Sequence, residues 1–145
     1  MLIGVPKEIK VRESRVGLVP NSVAELTGRG HSVLVETGAG AGIGAGDDAY
    51  RAAGAEIAAS AADVFAKAEM IVKVKEPQPN EWVQLSANQI LFTYLHLAAD
   101  MAQTRGLMKS GCTAIAYETI TDDAGGLPLL APMSEVAGRL SLIHI

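Results

Sequence analysis

The sequence predicts a doubly wound α/β fold, in which a mostly parallel sheet is flanked by helices. Three observations predict it. Short apolar runs alternate along the chain with segments of helical periodicity. Glycine and proline stand at the ends of many of these segments. Polar side chains follow several of the apolar runs, and parallel strands would place such side chains together at one edge of the sheet.

Each element has a local signal. Strands are expected at residues 2–5, 31–36, 70–75, 89–94 and 112–117, which are short apolar runs. Helices are expected at residues 20–29, 47–53, 61–68 and 98–109, and from Pro132 toward the end. Ser60 suits an N-cap, Gly111 a helix stop and Pro132 a first helical turn. Residues 121–126 form a turn-rich loop.

Composition narrows the function classes. With 145 residues, 49% apolar and 19% charged, the chain is expected to form one folded domain with a real core. The net charge of −4 provides no basic footprint for nucleic acid. No apolar run approaches the ~20 residues of a membrane span, and no secretory leader follows Met1. The single Cys112 is interpreted as a small core residue, and a cytoplasmic location is expected.

A glycine run at residues 38–46 lies between a predicted strand and a predicted helix, the setting of a dinucleotide fingerprint. Every glycine in the run has an even number, so the Gly-x-Gly-x-x-Gly pattern fits only where alanine takes the third place. Asp47 and Asp48 would also repel a pyrophosphate at the helix N-terminus. A flexible surface loop is therefore preferred to a phosphate site.

Three side chains at the ends of predicted strands or turns suit a small carboxylate. Arg15 offers a guanidinium fork, although a solvated arginine in a charged stretch is the alternative. Lys75 could hold a carboxylate or polarise a keto oxygen. The alternative is that Lys73 and Lys75, which share a face of an alternating strand, are both exposed edge lysines. His96 could exchange a proton near neutral pH or simply be a partly buried structural residue.

The last predicted helix opens with Met133 and Ser134. Helix N-termini bind polar and anionic groups through free N–H donors, and Ser134 adds a hydroxyl. Simple capping by Ser134 is the alternative. Glu118, after the fifth predicted strand, is a candidate supporting carboxylate. No Cys/His cluster has zinc spacing, so no metal site is expected.

Four stretches carry a family resemblance: RESRV at residues 12–16, KVKEP at 73–77, YLHL at 94–97 and APMSEVAGR at 131–139. In this order and spacing they resemble the amino-terminal region of the alanine dehydrogenase family. The resemblance implies reversible oxidation of L-alanine to pyruvate and ammonia with NAD as cofactor. It also implies a homo-oligomer.

The resemblance also implies roles for individual residues. Arg15, Lys75 and Met133 would bind the substrate, and His96 would be the catalytic acid and base. Ser134 would contact the nucleotide. Residues 1–130 would form a substrate domain, and residues 131–145 would begin the helix leading into an NAD-binding domain. Because that domain and its catalytic aspartate should follow Leu140, we expect a truncated chain that is inactive alone, with Ser141 to Ile145 atypical of the family.

Other functions remain open at this stage. The soluble subunit of proton-translocating transhydrogenase shares the architecture, but it lacks the substrate lysine and histidine that match Lys75 and His96. Saccharopine dehydrogenases are a more distant possibility. A stand-alone module that binds small carboxylates is an alternative of a different class.

Overall fold

A computed structural model describes residues 1–143, with side chains described through residue 140. Its centre is a six-stranded, all-parallel sheet in the order β3-β2-β1-β4-β5-β6. The strands are β1 (Leu2–Val5), β2 (Ser32–Glu36), β3 (Glu56–Ala58), β4 (Met70–Val72), β5 (Ile90–Thr93) and β6 (Thr113–Ala116). The chain winds outward from β1 and then from β4, so the predicted doubly wound α/β fold is confirmed.

Six α-helices connect and flank the strands. They are α1 (Pro20–Gly28), α2 (Asp47–Ala52), α3 (Ala61–Lys67), α4 (Pro79–Trp82), α5 (Met101–Ser110) and α6 (Ala131–Ile143). The predicted caps are confirmed: the Ser60 hydroxyl accepts the Asp63 N–H, and Gly111 ends α5 in a left-handed conformation. None of the helices in residues 1–143 combines the length and apolarity that crossing a membrane demands.

Strand alternation divides the core between the two faces of the sheet. Ile3 and Val5 point to one face, where Val23 of α1 and Tyr50 of α2 cover them. The opposite face buries Leu34, Ile71 and Leu91 beneath Val64 and Phe65 of α3 and Leu107 of α5. Such double coverage explains why the central strands read as continuous apolar runs rather than as alternating ones.

Three details of the sequence prediction were wrong. The edge strand β3 was not predicted, because three residues beginning with a glutamate carry too weak a pattern. The four-residue helix α4 was also missed; Gln78 and Glu81 cap it reciprocally. The third predicted strand ends at Val72 rather than at Lys75, so residues 73–75 leave the sheet as a bend.

The glycine run lies at the surface, where residues 41–44 are exposed, but two of its glycines are closely packed. A Cβ on Gly42 would lie 2.3 Å from the Ser14 carbonyl oxygen, and one on Gly40 would lie 2.6 Å from the Tyr50 ring. Gly17 approaches the sheet equally closely, since its Cβ would lie 2.4 Å from the Val72 carbonyl oxygen. Residues 14–17 are therefore held between the glycine run and the end of β4.

These close approaches predict a sharp difference between two glycine-to-alanine substitutions. Gly17→Ala should lower the free energy of unfolding by about 1–3 kcal/mol, because the new methyl group collides with backbone that cannot move easily. Gly28→Ala is the matched control, with nothing within 4 Å of the added Cβ. The control should be neutral or stabilising by up to about 1 kcal/mol. Urea unfolding of both variants measures this, and equal stabilities would contradict the packing argument.

Candidate functional site

The candidate site lies at the carboxyl edge of the sheet, where the chain leaves β1, β4, β5 and β6. Ligands of doubly wound sheets bind at this edge, beside the point where the strand order reverses. Here that point is the pair β1 and β4. The segments that follow these strands bring together Arg15, Lys75, His96 and Glu118.

A buried ion-pair cluster fixes the segment after β4. The Nζ of Lys73 lies 3.2 Å from Oε2 of Glu8 and 2.8 Å from Oε1 of Glu81, and all three side chains are at most 3% exposed. Glu8 also accepts the Val74 N–H at 2.7 Å. Lys73 and Lys75 thus do not form the exposed pair that an extended strand would give, because Lys73 is buried and Lys75 is partly exposed.

Lys75 lies against an aromatic side chain. Its Nζ is 5.1 Å from the centroid of the Tyr94 ring, a cation–π distance. Its carbonyl oxygen accepts the Thr93 hydroxyl at 2.8 Å, which ties the bend to the end of β5. The Tyr117 hydroxyl donates to the Val74 carbonyl at 2.6 Å, and burial raises the pKa of Tyr117 to about 12, so the phenol keeps its proton.

His96 has an unusual backbone conformation. Its φ of 48° and ψ of 46° are left-handed, which is rare for a residue other than glycine. The Glu118 carboxylate holds it there by accepting the His96 N–H at 2.9 Å and the Leu95 N–H at 3.0 Å. Strained residues of this kind cluster at functional sites. Glu118 thus has the supporting position that the sequence suggested for it.

Tyr94 joins the lysine to the histidine. Its ring stacks on the His96 imidazole with centroids 5.8 Å apart, and its hydroxyl lies 3.3 Å from His96 Nδ1. The same ring also lies at cation–π distance from the Lys75 ammonium. Sequence reasoning assigned no role to Tyr94, although its spacing of two residues from His96 on an extended segment was a usable signal.

Arg15 is already engaged by a carboxylate of its own segment. Its Nε donates to Oε1 of Glu13 at 2.8 Å, and its Nη2 donates to Oε2 at 2.7 Å. The hydrogen bonds from Arg15, together with the charges of Arg15 and Lys75, lower the pKa of Glu13 to about 2. Sequence reasoning missed this role of Glu13.

Met133 and Ser134 are not joined to this group. Helix α6 begins at Ala131, so Ser134 is not its cap, and the Ser134 N–H already donates to the Leu130 carbonyl at 3.0 Å. Within residues 131–134, the predicted donors that make no such hydrogen bond are the Met133 N–H and the Ser134 hydroxyl. Among residues 1–140, no hydrogen bond, ion pair or ring contact links either residue to Arg15, Lys75 or His96.

The glycine run does not form a phosphate cradle. The Asp47 carboxylate accepts the Gly38 N–H at 2.8 Å and the Thr37 hydroxyl at 2.7 Å. These hydrogen bonds also lower the pKa of Asp47. Carbonyl groups within the run accept the N–H groups of residues 41, 43, 44 and 45, so the run uses most of its own donors. Within the described part of the chain, no group of three His, Cys, Asp or Glu side chains is placed to hold a metal ion.

Two solved structures resemble this fold. A structure of L-alanine dehydrogenase superimposes with a TM-score of 0.93 at 55% identity, covering 97% of this chain and 39% of that one. A transhydrogenase from Sinorhizobium meliloti gives a TM-score of 0.77 at 28% identity, covering 83% of this chain and 36% of that one.

Curated relatives are closer in sequence than that transhydrogenase. The alanine dehydrogenase of Halomonas elongata is 58% identical over 98% of this chain, and that of Bacillus subtilis is 55% identical over 97%. The chain spans 38% and 37% of the lengths of these two relatives. The family model described as alanine dehydrogenase/PNT, N-terminal domain, matches residues 4–137. The chain therefore belongs to the alanine dehydrogenase/PNT family, through the N-terminal domain of that family.

Proposed function

We propose that this chain provides the substrate-binding part of an NAD-dependent alanine dehydrogenase, which interconverts L-alanine with pyruvate and ammonia. One observation carries the proposal: at the carboxyl edge of the sheet, the segments after β1, β4 and β5 carry Arg15, Lys75 and His96, and Tyr94 contacts both the lysine and the histidine. The 58% identity to a curated alanine dehydrogenase supports the same reaction.

In this proposal the two cations bind the substrate. Arg15 offers N–H donors in a planar array that matches a carboxylate, and Lys75 adds a compact positive charge. When pyruvate is bound, the Lys75 ammonium also polarises the keto oxygen, which becomes more electrophilic toward ammonia. Met133, half-buried near the start of α6, is assigned to the substrate's methyl side.

His96 is assigned the proton transfers. In the direction of alanine oxidation, an imino acid forms when the Cα hydride and an amine proton leave. The imidazole then takes a proton from the water that attacks the imine carbon and returns one to the departing ammonia. The His96 side chain is exposed and has Tyr94 as a hydrogen-bond partner, which suits a group that exchanges protons with solvent.

NAD would supply the hydride acceptor. Because the glycine run is closed by Asp47, we assign most of the nucleotide contacts to the portion of the relatives that this chain does not span, and only the Ser134 hydroxyl to this chain. The division into a substrate domain at residues 1–130 and a connecting helix at 131–145 belongs to the same proposal. So do a homo-oligomeric assembly and a cytoplasmic location.

A chimera tests the reaction. Residues 1–140 replace the matched segment of the Halomonas elongata relative, to which they are 58% identical over the aligned region. The chimera should produce NADH only when L-alanine and NAD are both present. An inactive but folded chimera would refute the proposal, and pyruvate binding by the isolated chain would then favour a stand-alone carboxylate-binding module. Hydride transfer from NADPH to NAD in the absence of alanine would favour the transhydrogenase.

Replacing His96 should separate proton transfer from binding. In the chimera, His96→Ala should lower turnover by ~10²–10⁴-fold, the usual contribution of a general acid–base group. Arg15→Lys should mainly raise the KM for pyruvate, because a point charge cannot reproduce the planar fork. His31→Ala, at a histidine remote from the cleft before β2, is the control. Turnover retained in His96→Ala would remove this residue from the mechanism.

The 145-residue chain should bind NAD weakly when it is alone. The Asp47 carboxylate occupies the loop donors, and no described residue replaces them. Isothermal titration of the purified chain with NAD measures this, with the chimera as the positive control. Micromolar binding by the isolated chain would show that the nucleotide contacts have been assigned to the wrong region.

The isolated chain is also expected to self-associate. Val136 and Leu140 of α6 are 59% and 52% exposed, and clustered exposed apolar side chains favour association. The sequence places Leu142 and Ile143 in the same stripe, but their side chains lie outside the described residues. Sedimentation velocity over a concentration series should show a rising average mass. A monomer at all concentrations would count against this expectation.

A further inference from the structure

The contact between Glu13 and Arg15 uses only one side of the guanidinium. The Glu13 carboxylate accepts from Nε and from one hydrogen of Nη2, and Oε1 also accepts the Arg15 backbone N–H at 2.9 Å. Both hydrogens of Nη1 and the second hydrogen of Nη2 are left over. These remaining donors form a second planar edge that matches another carboxylate.

The two side chains differ in where they lie. The Glu13 side chain is 8% exposed and that of Arg15 is 50% exposed, so the guanidinium is the part of the pair that solvent reaches. Both side chains line a cavity together with Lys7, Glu8, Ser14 and four residues of the glycine run. A substrate that approaches from solvent therefore meets the outer part of Arg15 first.

The turn that presents Glu13 is built with some strain. Arg12 has a φ of 66°, in the left-handed region, and the Glu13 N–H donates to the Lys10 carbonyl at 3.0 Å. On the far side of the pair, Gly42 packs on the Ser14 backbone so closely that a Cβ would lie 2.3 Å away. The position of Glu13 is thus fixed by backbone rather than by its hydrogen bonds to Arg15 alone.

We propose that Glu13 is a positioning residue that holds one edge of Arg15 and leaves the other edge free for the substrate carboxylate. This inference rests on the proposed function, because it names the supporting residue for the same site. In the bound state, the Arg15 guanidinium then lies between two carboxylates, that of Glu13 on one edge and that of the substrate on the other. The alternative is that Glu13 is a competitor, which the substrate must displace from Arg15.

Charge favours the positioning role. Arg15 keeps Glu13 ionised at neutral pH, with its pKa lowered to about 2, so the pair carries little net charge there. Lys75 lies over Tyr94 rather than in the Arg15 pair, and its positive charge is left to attract an anion. Displacing Glu13 would leave a carboxylate that is almost buried without its partner, which is costly.

The two roles predict opposite changes in pyruvate affinity. In the chimera, Glu13→Gln replaces one acceptor oxygen by an amide that faces the guanidinium with its own N–H groups. If Glu13 positions Arg15, the KM for pyruvate should rise by about tenfold, as for loss of a charge-assisted contact, while kcat changes by less than about twofold. An unchanged or lowered KM would overturn the proposal.

Glu25→Gln is the matched control. Glu25 on α1 also pairs with an arginine, Arg29, which directly follows the helix; the distance is 3.8 Å, but both side chains are more than 70% exposed. This variant should keep the KM and kcat of the parent chimera. A general electrostatic effect of removing one acidic residue would appear in both variants, whereas loss of positioning appears in Glu13→Gln alone.

Nuclear magnetic resonance tests the geometry without any activity. The Nε–H of Arg15 gives its own signal in the ¹⁵N-labelled 145-residue chain, and assignment follows from loss of that signal in Arg15→Lys. On titration with pyruvate, this signal should keep its hydrogen-bonded shift while the Nη signals move. A return of the Nε–H signal to the position of solvated arginines would show that pyruvate displaces Glu13.

The carboxyl carbon of Glu13 provides a pH test in the same chain labelled with ¹³C. A depressed pKa in the folded state means that the pair stabilises the fold above the ordinary glutamate range and that this contribution is lost as the pH falls toward 2. The Glu13 signal should therefore show no titration between pH 7 and about 4. A titration midpoint near that of ordinary glutamates would show that Glu13 does not hold Arg15.

These experiments separate the two proposals. An inactive parent chimera refutes the alanine dehydrogenase proposal, but the Arg15 Nε–H shift in the isolated chain still reports whether Glu13 holds the guanidinium. An active chimera with no KM change in Glu13→Gln refutes only the positioning role. If Glu13→Gln does not fold, the titrations of the unmodified chain decide the question.

Discussion

The buried contacts of Lys73 with Glu8 and Glu81 constrain the rest of the site. Together they tie the segment after β1, the segment after β4 and the first turn of α4. Removing one partner from such a cluster typically costs about 3–5 kcal/mol, because a charge is left unpaired in the interior. Since Glu8 also accepts the Val74 N–H, the cluster fixes the bend that turns Lys75 toward the cleft.

Main-chain hydrogen bonds from side chains hold the other functional groups in the same way. The Thr93 hydroxyl donates to the Lys75 carbonyl, the Tyr117 hydroxyl donates to the Val74 carbonyl, and Glu118 accepts the N–H groups of Leu95 and His96. Thr93 and Glu118 come from the strand next to the one they support or from the segment after it, whereas Tyr117 follows β6 and reaches across β5. The sheet edge therefore supports its functional residues from other strands, which gives a rigid site without a continuous binding loop.

Glycine has a packing role at this edge that differs from its role in phosphate binding. Gly17 and Gly42 allow backbone to approach the end of β4 and the residue before Arg15. The Gly/Ala alternation attracts attention as a nucleotide motif, but its hydrogen bonds are closed internally by Asp47. A glycine-rich turn after a strand is therefore informative only when the fate of its N–H groups is known.

The sequence by itself determined the fold class, five of the six strands and the main helices, because burial on both faces of a parallel sheet imposes apolar runs that are visible residue by residue. It also indicated Lys75, His96 and Glu118, because polar residues that follow such runs must meet at one edge, and the family resemblance added Arg15.

What those residues contact became visible only in the tertiary structure. The partners of Lys73 are 65 and 8 positions away, and Tyr94 acquires its role from Lys75, 19 residues earlier in the chain and one strand away in the sheet. Such pairings depend on where each strand stops and how the next segment bends, as the end of β4 at Val72 shows, and local patterns do not encode these distances.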